Sequence, residues 1–247
     1  MPTKSVSLCE ASEPVDRPDT RLTGRARRMS PDERKREIVL GAIRYFAEGG
    51  FGSQTRELAQ RLGVSNALLF KYFPTKDALI EAIYEELFLR RWKPEWESTI
   101  ADEERDLVQR LEAFYLDYAK MLHDREWVRI YLYSGLAGAP LARRFGEMVN
   151  QRIFVRVIDA VRHEHHFVAT RDYAPSEDEI ELIWSLHGGI FYIGVRKWIY
   201  GSEVPSDVSG IVGRLVREYL AAAKTLLDEG VVPKASGVHR VRKKVDC

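Results

Sequence analysis

Cysteine, net charge and long apolar runs are all scarce in this chain. Its two cysteines, Cys9 and Cys247, stand near opposite ends of 247 residues. Cysteines so placed make neither a disulfide framework nor a metal-ligand cluster, and a reducing cytoplasm is the expected setting. Lysine and arginine number 38 against 37 aspartates and glutamates, a formal net charge of +1. Bulk charge therefore announces no nucleic-acid binder, and any basic surface has to be local. No run approaches the roughly 20 apolar residues that a membrane-spanning helix needs. The opening segment is polar and lacks the apolar core of a secretory signal. Also missing are a glycine-rich phosphate loop, Gly-x-Ser-x-Gly and His-Glu-x-x-His. The expectation is a protein that is not an enzyme, with no catalytic residue, no bound metal and no cofactor.

What is present is helical patterning in an ordinary globular composition, 45% apolar and 30% charged. Residues 1–29 hold scattered Pro, Ser and Asp and are expected to form a flexible arm. Arg21, Arg25, Arg27 and Arg28 make its end basic. That suits either a solvated tail or an arm touching DNA phosphate or a minor groove. Order is expected from Ser30-Pro31-Asp32-Glu33, a cap, a proline at the first helical position and acids in the first turn. Val39, Ala42, Ile43 and Phe46 then share a face, and Gly49-Gly50 ends the helix. Leu58, Ala59 and Leu62 mark a short second helix. Ser65 caps a third carrying Leu68, Leu69, Tyr72 and Phe73, and Thr75 caps a fourth running to about Trp92. Further helices are expected over about 103–123, 125–134, 141–165, 176–200 and 206–229, with no convincing strand. The tail 231–247, with Lys234, Arg240, Arg242, Lys243 and Lys244, is expected to be basic and disordered.

The informative stretch runs from Ser53 to Phe73. Two short helices joined by a glycine-containing turn are what a helix-turn-helix requires. Gly63 supplies the turn, and Ala59 is small where the helices must cross closely. Leu58, Leu62, Val64 and Leu69 make a shared core. The second helix of such a motif enters the major groove while the first spans the backbone. A small helical bundle without a DNA role is the bland alternative.

Gly-Phe, Thr-Arg-Glu-Leu-Ala, Leu-Gly-Val-Ser and Leu-Leu-Phe-Lys-Tyr-Phe-Pro-Thr-Lys-Asp-Ala-Leu follow one another here. In this the chain resembles the TetR family over about 32–92. The resemblance implies an all-α fold: an N-terminal three-helix helix-turn-helix DNA-binding domain, then a larger helical ligand-binding and dimerisation domain over 95–230. It implies a homodimer on near-palindromic double-stranded operator DNA, with repression released by a small-molecule effector. Matched position by position, it points to Thr55, Arg56, Asn66, Ala67, Leu68, Phe70, Lys71, Tyr72 and Lys76 as DNA-contacting residues. The N–H groups that Ser65 leaves at its helix start suit phosphate. Asn66 can pair bidentately with adenine, and Arg56 with guanine or phosphate. Lys71, Lys76 and the Tyr72 hydroxyl suit phosphate oxygens. At two positions the chain departs from many relatives, with Leu68 for Thr and Phe70 for Tyr. Leu68 is left to touch a thymine methyl and Phe70 to pack.

The C-terminal part is rich in rings. Tyr115, Tyr118, Trp127, Tyr131, Trp184 and His187 are candidates to line a pocket for an apolar or aromatic effector. Equally, such rings fill solid cores, and His187 on an apolar stripe can be a satisfied core histidine. His163, His165 and His166 end a helix, where cations suit its dipole and neighbours diverge too much to share a metal. For the dimer interface the expected stripe is Val208, Ile211, Val212, Leu215, Val216, Tyr219, Ala223, Leu226 and Leu227, joined by Gly188, with Gly189 and Gly194 also permitting close approach. The rival classes are a helical ligand-binding enzyme and a protein-interaction module without operator binding. Turnover of a bound ligand would mark the first, and failure to select an operator the second.

Overall fold

Side-chain caps begin six of the eleven described α-helices. The Ser30 hydroxyl accepts from Glu33 N–H at 3.2 Å, and the Glu33 carboxylate accepts from Ser30 N–H at 2.7 Å. Each satisfies a backbone donor that the first turn leaves unpaired. Ser65, Thr75, Asp106, Asp124 and Ser176 cap later helices. The computed structural model describes residues 29–52 and 54–235. The basic arm with Arg21, Arg25, Arg27 and Arg28, both cysteines, Ser53, and Arg240, Arg242, Lys243 and Lys244 fall outside that range.

The described residues form α1 (Pro31–Gly49), α2 (Thr55–Arg61), α3 (Asn66–Tyr72), α4 (Lys76–Tyr84), α5 (Glu95–Ala101), α6 (Leu107–Met121), α7 (Arg125–Leu136), α8 (Pro140–Val149), α9 (Val155–Glu164), α10 (Glu177–Trp198) and α11 (Ser209–Asp228). Two π-helical turns prolong these, Glu85–Leu89 after α4 and Asn150–Phe154 between α8 and α9. Among the described residues the one extended pairing is an isolated bridge between Phe167 and Lys234. The fold is all-α, as expected. α1, α2 and α3 make the N-terminal head. α1 packs on α7 and on α4, while α6, α10 and α11 pack together in the C-terminal part. No described helix is long and apolar enough to cross a membrane.

Three expectations need correction. The helix expected over 103–123 is preceded by a separate α5, which starts after Pro94 and stops at Asp102 (ψ 88°) before Asp106 caps α6. The tail does not leave the body at Gly230. Val232 is buried, Val168 N–H donates to the Pro233 carbonyl at 3.1 Å, and Ala235 N–H to the His166 carbonyl at 3.0 Å. Gly194 is not a point of approach for a second subunit. A Cβ there would stand 3.0 Å from Val128 and 3.2 Å from Leu122 of the same chain.

A buried ion pair fixes the far end of the C-terminal part. Arg162 donates to both Glu179 oxygens, at 2.8 and 2.6 Å. Its remaining donors meet the carbonyls of Val168, Tyr173 and Ala174. Burial works against ionisation of Glu179, and the Arg162 and Ser176 hydrogen bonds outweigh it, so its pKa is lowered.

Candidate nucleic-acid interface

Leu58 and Ala59 of α2 and Leu69 of α3 are buried, while Leu62 and Val64 are half-buried against them. The turn between the helices closes with Gly63 N–H to Gln60 O at 3.1 Å and Val64 N–H to Ala59 O at 3.0 Å. Gly63 has φ +64°, a conformation that side chains with a Cβ adopt only under strain. The Ser65 hydroxyl accepts from Leu68 N–H at 3.1 Å and starts α3. One further glycine escaped the sequence reading. A Cβ on Gly41 of α1 would lie 2.1 Å from the end of the Leu62 side chain, so this glycine lets α1 sit tightly over the turn.

With its apolar side turned inward, α3 leaves Asn66, Ala67, Phe70 and Lys71 exposed. Arg56 at the start of α2 is exposed too, and Thr55, Leu68 and Tyr72 are half-buried. Neither Arg56 nor Lys71 has an ion-pair partner among the described residues. Arg61, by contrast, is held by Glu48 at 2.7 Å and lies over the Tyr45 ring. Lys76 sits apart from the exposed row. It is half-buried, donates to the Phe51 carbonyl and lies 5.8 Å from the Phe46 ring centre. Its visible work is to hold the α1–α2 loop onto α4.

Residues 38–83 match the family model described as bacterial regulatory proteins, tetR family. The N-terminal segment thus carries the DNA-binding domain described by that family model. It is 36% identical over 89 residues to the nucleoid occlusion factor SlmA of Vibrio vulnificus, an alignment covering 33% of this chain and 42% of that protein. It is also 44% identical over 54 residues to the HTH-type transcriptional repressor Rv1474c of Mycobacterium tuberculosis, covering 22% of this chain and 29% of that one. The chain thus spans less than half the length of these curated relatives. A TetR-like transcriptional regulator from Rhodococcus sp. RHA1 superposes with a TM-score of 0.57 at 16% identity, covering 78% of this chain and 99% of that one. A TetR-family regulator from Streptomyces coelicolor gives 0.51 at 18% identity, covering 82% and 86%. At such identities these two show the fold.

The head is clamped to the C-terminal part by contacts that periodicity does not reveal. Arg129 of α7 donates to the Ala47 carbonyl in the last turn of α1, to the Trp198 carbonyl at 3.0 Å and to the Tyr133 hydroxyl at 2.6 Å. Arg144 of α8 pairs with Glu81 of α4 and lies 4.3 Å from the Tyr84 ring centre. The Glu81 pKa is lowered, chiefly by the Arg144 hydrogen bond.

Five of the six candidate pocket residues come together. Tyr118, Trp127, Tyr131, Trp184 and His187 line one cavity of about 40 Å³ with Phe145 and Phe191. Tyr115 does not line it, being fully enclosed by neighbours such as Phe114 and Tyr118. Trp127 Nε1 and His187 Nδ1 are both buried without a hydrogen-bond partner. Burial lowers the His187 pKa to about 3, so the ring is neutral. Phe88, in the π-turn that ends α4, stands 5.5 Å from Trp127 and 4.9 Å from Phe145 between ring centres. Ring contacts therefore run from the cavity to the helix that supports the head.

The expected interface stripe splits in two. Val212, Val216, Tyr219 and Ala223 are buried inside their own subunit and are unavailable to a partner, because α6, α9 and α10 cover that side of α11. Ile211 is exposed, and Val208, Leu215 and Leu226 are half-buried along the edge of the same stripe, with Val208 and Leu215 still packed against the core. A Cβ on Gly188 of α10 would meet nothing within 4 Å, and Tyr192, one turn further, is exposed.

Proposed function

We propose that this protein is a homodimeric, TetR-type repressor that binds a near-palindromic operator through α2 and α3 and lets go when a small effector binds. One observation carries the DNA reading. A short capped helix, fixed from behind by Leu58, Ala59 and Leu69, holds Asn66 and Lys71 exposed, Arg56 is exposed at the start of α2, and neither cation has an acidic partner among the described residues. Asn66 and Arg56 suit base edges, and Lys71 and Tyr72 suit phosphate. The same row leaves Ala67 and Leu68 near thymine methyls, and Phe70 to pack or touch sugar. Thr55 and Ser65 suit backbone phosphates. Lys76 acts in this reading as a brace for the loop.

Effector control rests on the ring-lined cavity. At about 40 Å³ it is far below the roughly 300 Å³ of ordinary ligand sites. An apolar or aromatic effector would have to push the rings apart, with Trp127 N–H offered to an acceptor on the ligand. Phe88 would carry that displacement to α4, shifting the heads relative to one another. The effector acts only as far as it binds the two arrangements with different affinity.

The test is selection of bound sequences from random duplex DNA, with wild type and with Asn66→Ala. Enrichment of an inverted repeat that changes at one base in the variant is expected. Failure of the wild type to enrich any sequence would overturn the reading.

A further inference from the structure

Two arginines are buried among the described residues, Arg162 and Arg110, and one of the two is neutralised. Arg162 has Glu179 and a set of carbonyls. Arg110 of α6 is 3% exposed, and Nη1 donates to the Ile100 carbonyl at 3.0 Å. Its Nε is buried with no partner, and no bond to Nη2 or ion pair to the group occurs among the described residues. The Nε and Nη2 donors lie along one edge of the guanidinium, the edge that meets two oxygens of an oxyanion side by side. A buried guanidinium left without an anion is costly.

Arg110 stands in the wall of a cavity of about 300 Å³ between α5, α6, α9 and the loop after α9. That cavity is separate from the ring-lined one. Arg156, Arg171 and His163 also line it, as do Glu103 and Asp159. The two acids do not serve Arg110. Asp159 accepts from Thr170 N–H at 2.7 Å, and Glu103 faces His163 at 3.7 Å on an exposed rim. Arg156 and Arg171 have their own acids, Glu97 at 2.8 Å and Asp172 at 3.3 Å. Arg110 is thus the one buried cation of the cavity with no acidic partner among the described residues, its Nε unpaired, and Phe167 gives the wall an apolar side.

We propose that this cavity is a second small-molecule site, which takes an oxyanion, a carboxylate or a phosphate group, forked onto Nε and Nη2 of Arg110. The site stands independently of DNA binding and of the ring-lined cavity. The experiment is calorimetric titration of the full chain in chloride buffer of constant ionic strength with benzoate, its neutral isostere benzamide, and inorganic phosphate. One oxyanion bound per chain is expected, with no heat from benzamide. Preference for benzoate marks an organic carboxylate as the ligand class, and preference for phosphate marks a phosphate group. Arg110→Lys, which keeps charge but loses the fork, should weaken binding by about tenfold or more. Ala160→Leu, which fills the cavity, should abolish it while the fold is kept. Trp127→Ala and Lys71→Ala control for the ring-lined cavity and the DNA face. The proposal is overturned if neither anion binds above chloride. It is also overturned if binding survives both Arg110→Lys and Ala160→Leu, or is lost only in a control variant.

Discussion

In the proposed interface Asn66 and Lys71 of one short helix make two kinds of contact, and substitution should tell them apart. Lys71 offers a charge with no shape, so Lys71→Ala should weaken binding to every duplex alike. It should also lower the salt slope by about 1, as one fewer counterion is released. Asn66 offers a donor and an acceptor in fixed geometry. Asn66→Ala should cost about 1–3 kcal/mol on the preferred operator and relax preference at a single base pair. Fluorescence anisotropy across a salt series, on specific and scrambled duplexes, checks both. His187 gives a prediction of another kind. Burial lowers its pKa to about 3, whereas the unfolded chain takes up a proton near 6.5. Above pH 6.5 neither state is protonated at this ring and no stability is lost. As pH falls from there toward 3, only the unfolded state gains the proton, and the folded state loses ground by up to about 1.4 kcal/mol per pH unit. Urea unfolding at pH 7, 5.5 and 4.5 should show His187→Leu gaining on wild type as the pH falls. A constant difference across that range would show that the ring takes up its proton at the same pH in the folded and unfolded states.

Element by element, the sequence was most legible where local chemistry decides the structure. Ser30, Ser65, Thr75 and Ser176 mark helix starts that the structure keeps, because a capping side chain acts on its own first turn. Gly63 marks the turn for a similar reason. Legibility fails where the outcome depends on what packs from elsewhere. α11 carries one wide apolar stripe, and nothing local says that Val212, Val216 and Tyr219 are covered by the chain's own helices while Ile211 at its edge stays exposed. The π-turns are equally silent, since one extra residue per turn shifts the apolar phase without changing composition. Arg110 and Arg129 look like surface charges in the sequence and become internal bonding groups only once α5, α1 and α10 surround them. Gly194 belongs to the same class: its neighbours Leu122 and Val128 come from distant parts of the chain. Gly194→Ala should push α10 from α7 and destabilise the fold by about 1–3 kcal/mol, the usual range for overpacking. Gly188→Ala, with open space around it, should leave the monomer's stability nearly unchanged. Thermal or urea unfolding of the pair checks this, and equal losses would contradict the placement of α10.

For the whole molecule, the proposed reading of a near-palindromic operator would require two heads set about 34 Å apart or a multiple of that. A single chain has one head, so the spacing has to come from pairing of the C-terminal parts. The surface open to such pairing is narrower than the apolar pattern of α11 suggests. It comprises Gly188 and Tyr192 on α10, with Ile211, Leu215, Ala222 and Leu226 along α11, all at least partly exposed in the single chain. An isologous contact of α10 and α11 with their two-fold mates would form a four-helix interface. Ile211→Glu combined with Ala222→Glu places like charges across the two-fold axis without touching the core, since both positions are exposed. The expected outcome is a folded monomer by sedimentation at micromolar concentration, with helical content retained and operator affinity lost. Val216→Glu is the contrasting variant. Val216 is fully buried, so a carboxylate there lacks both water and a partner, and the chain should unfold rather than dissociate. If the exposed-face variant remains a dimer, the subunits meet elsewhere. If it is monomeric yet binds the full operator as tightly as wild type, recognition does not depend on paired heads.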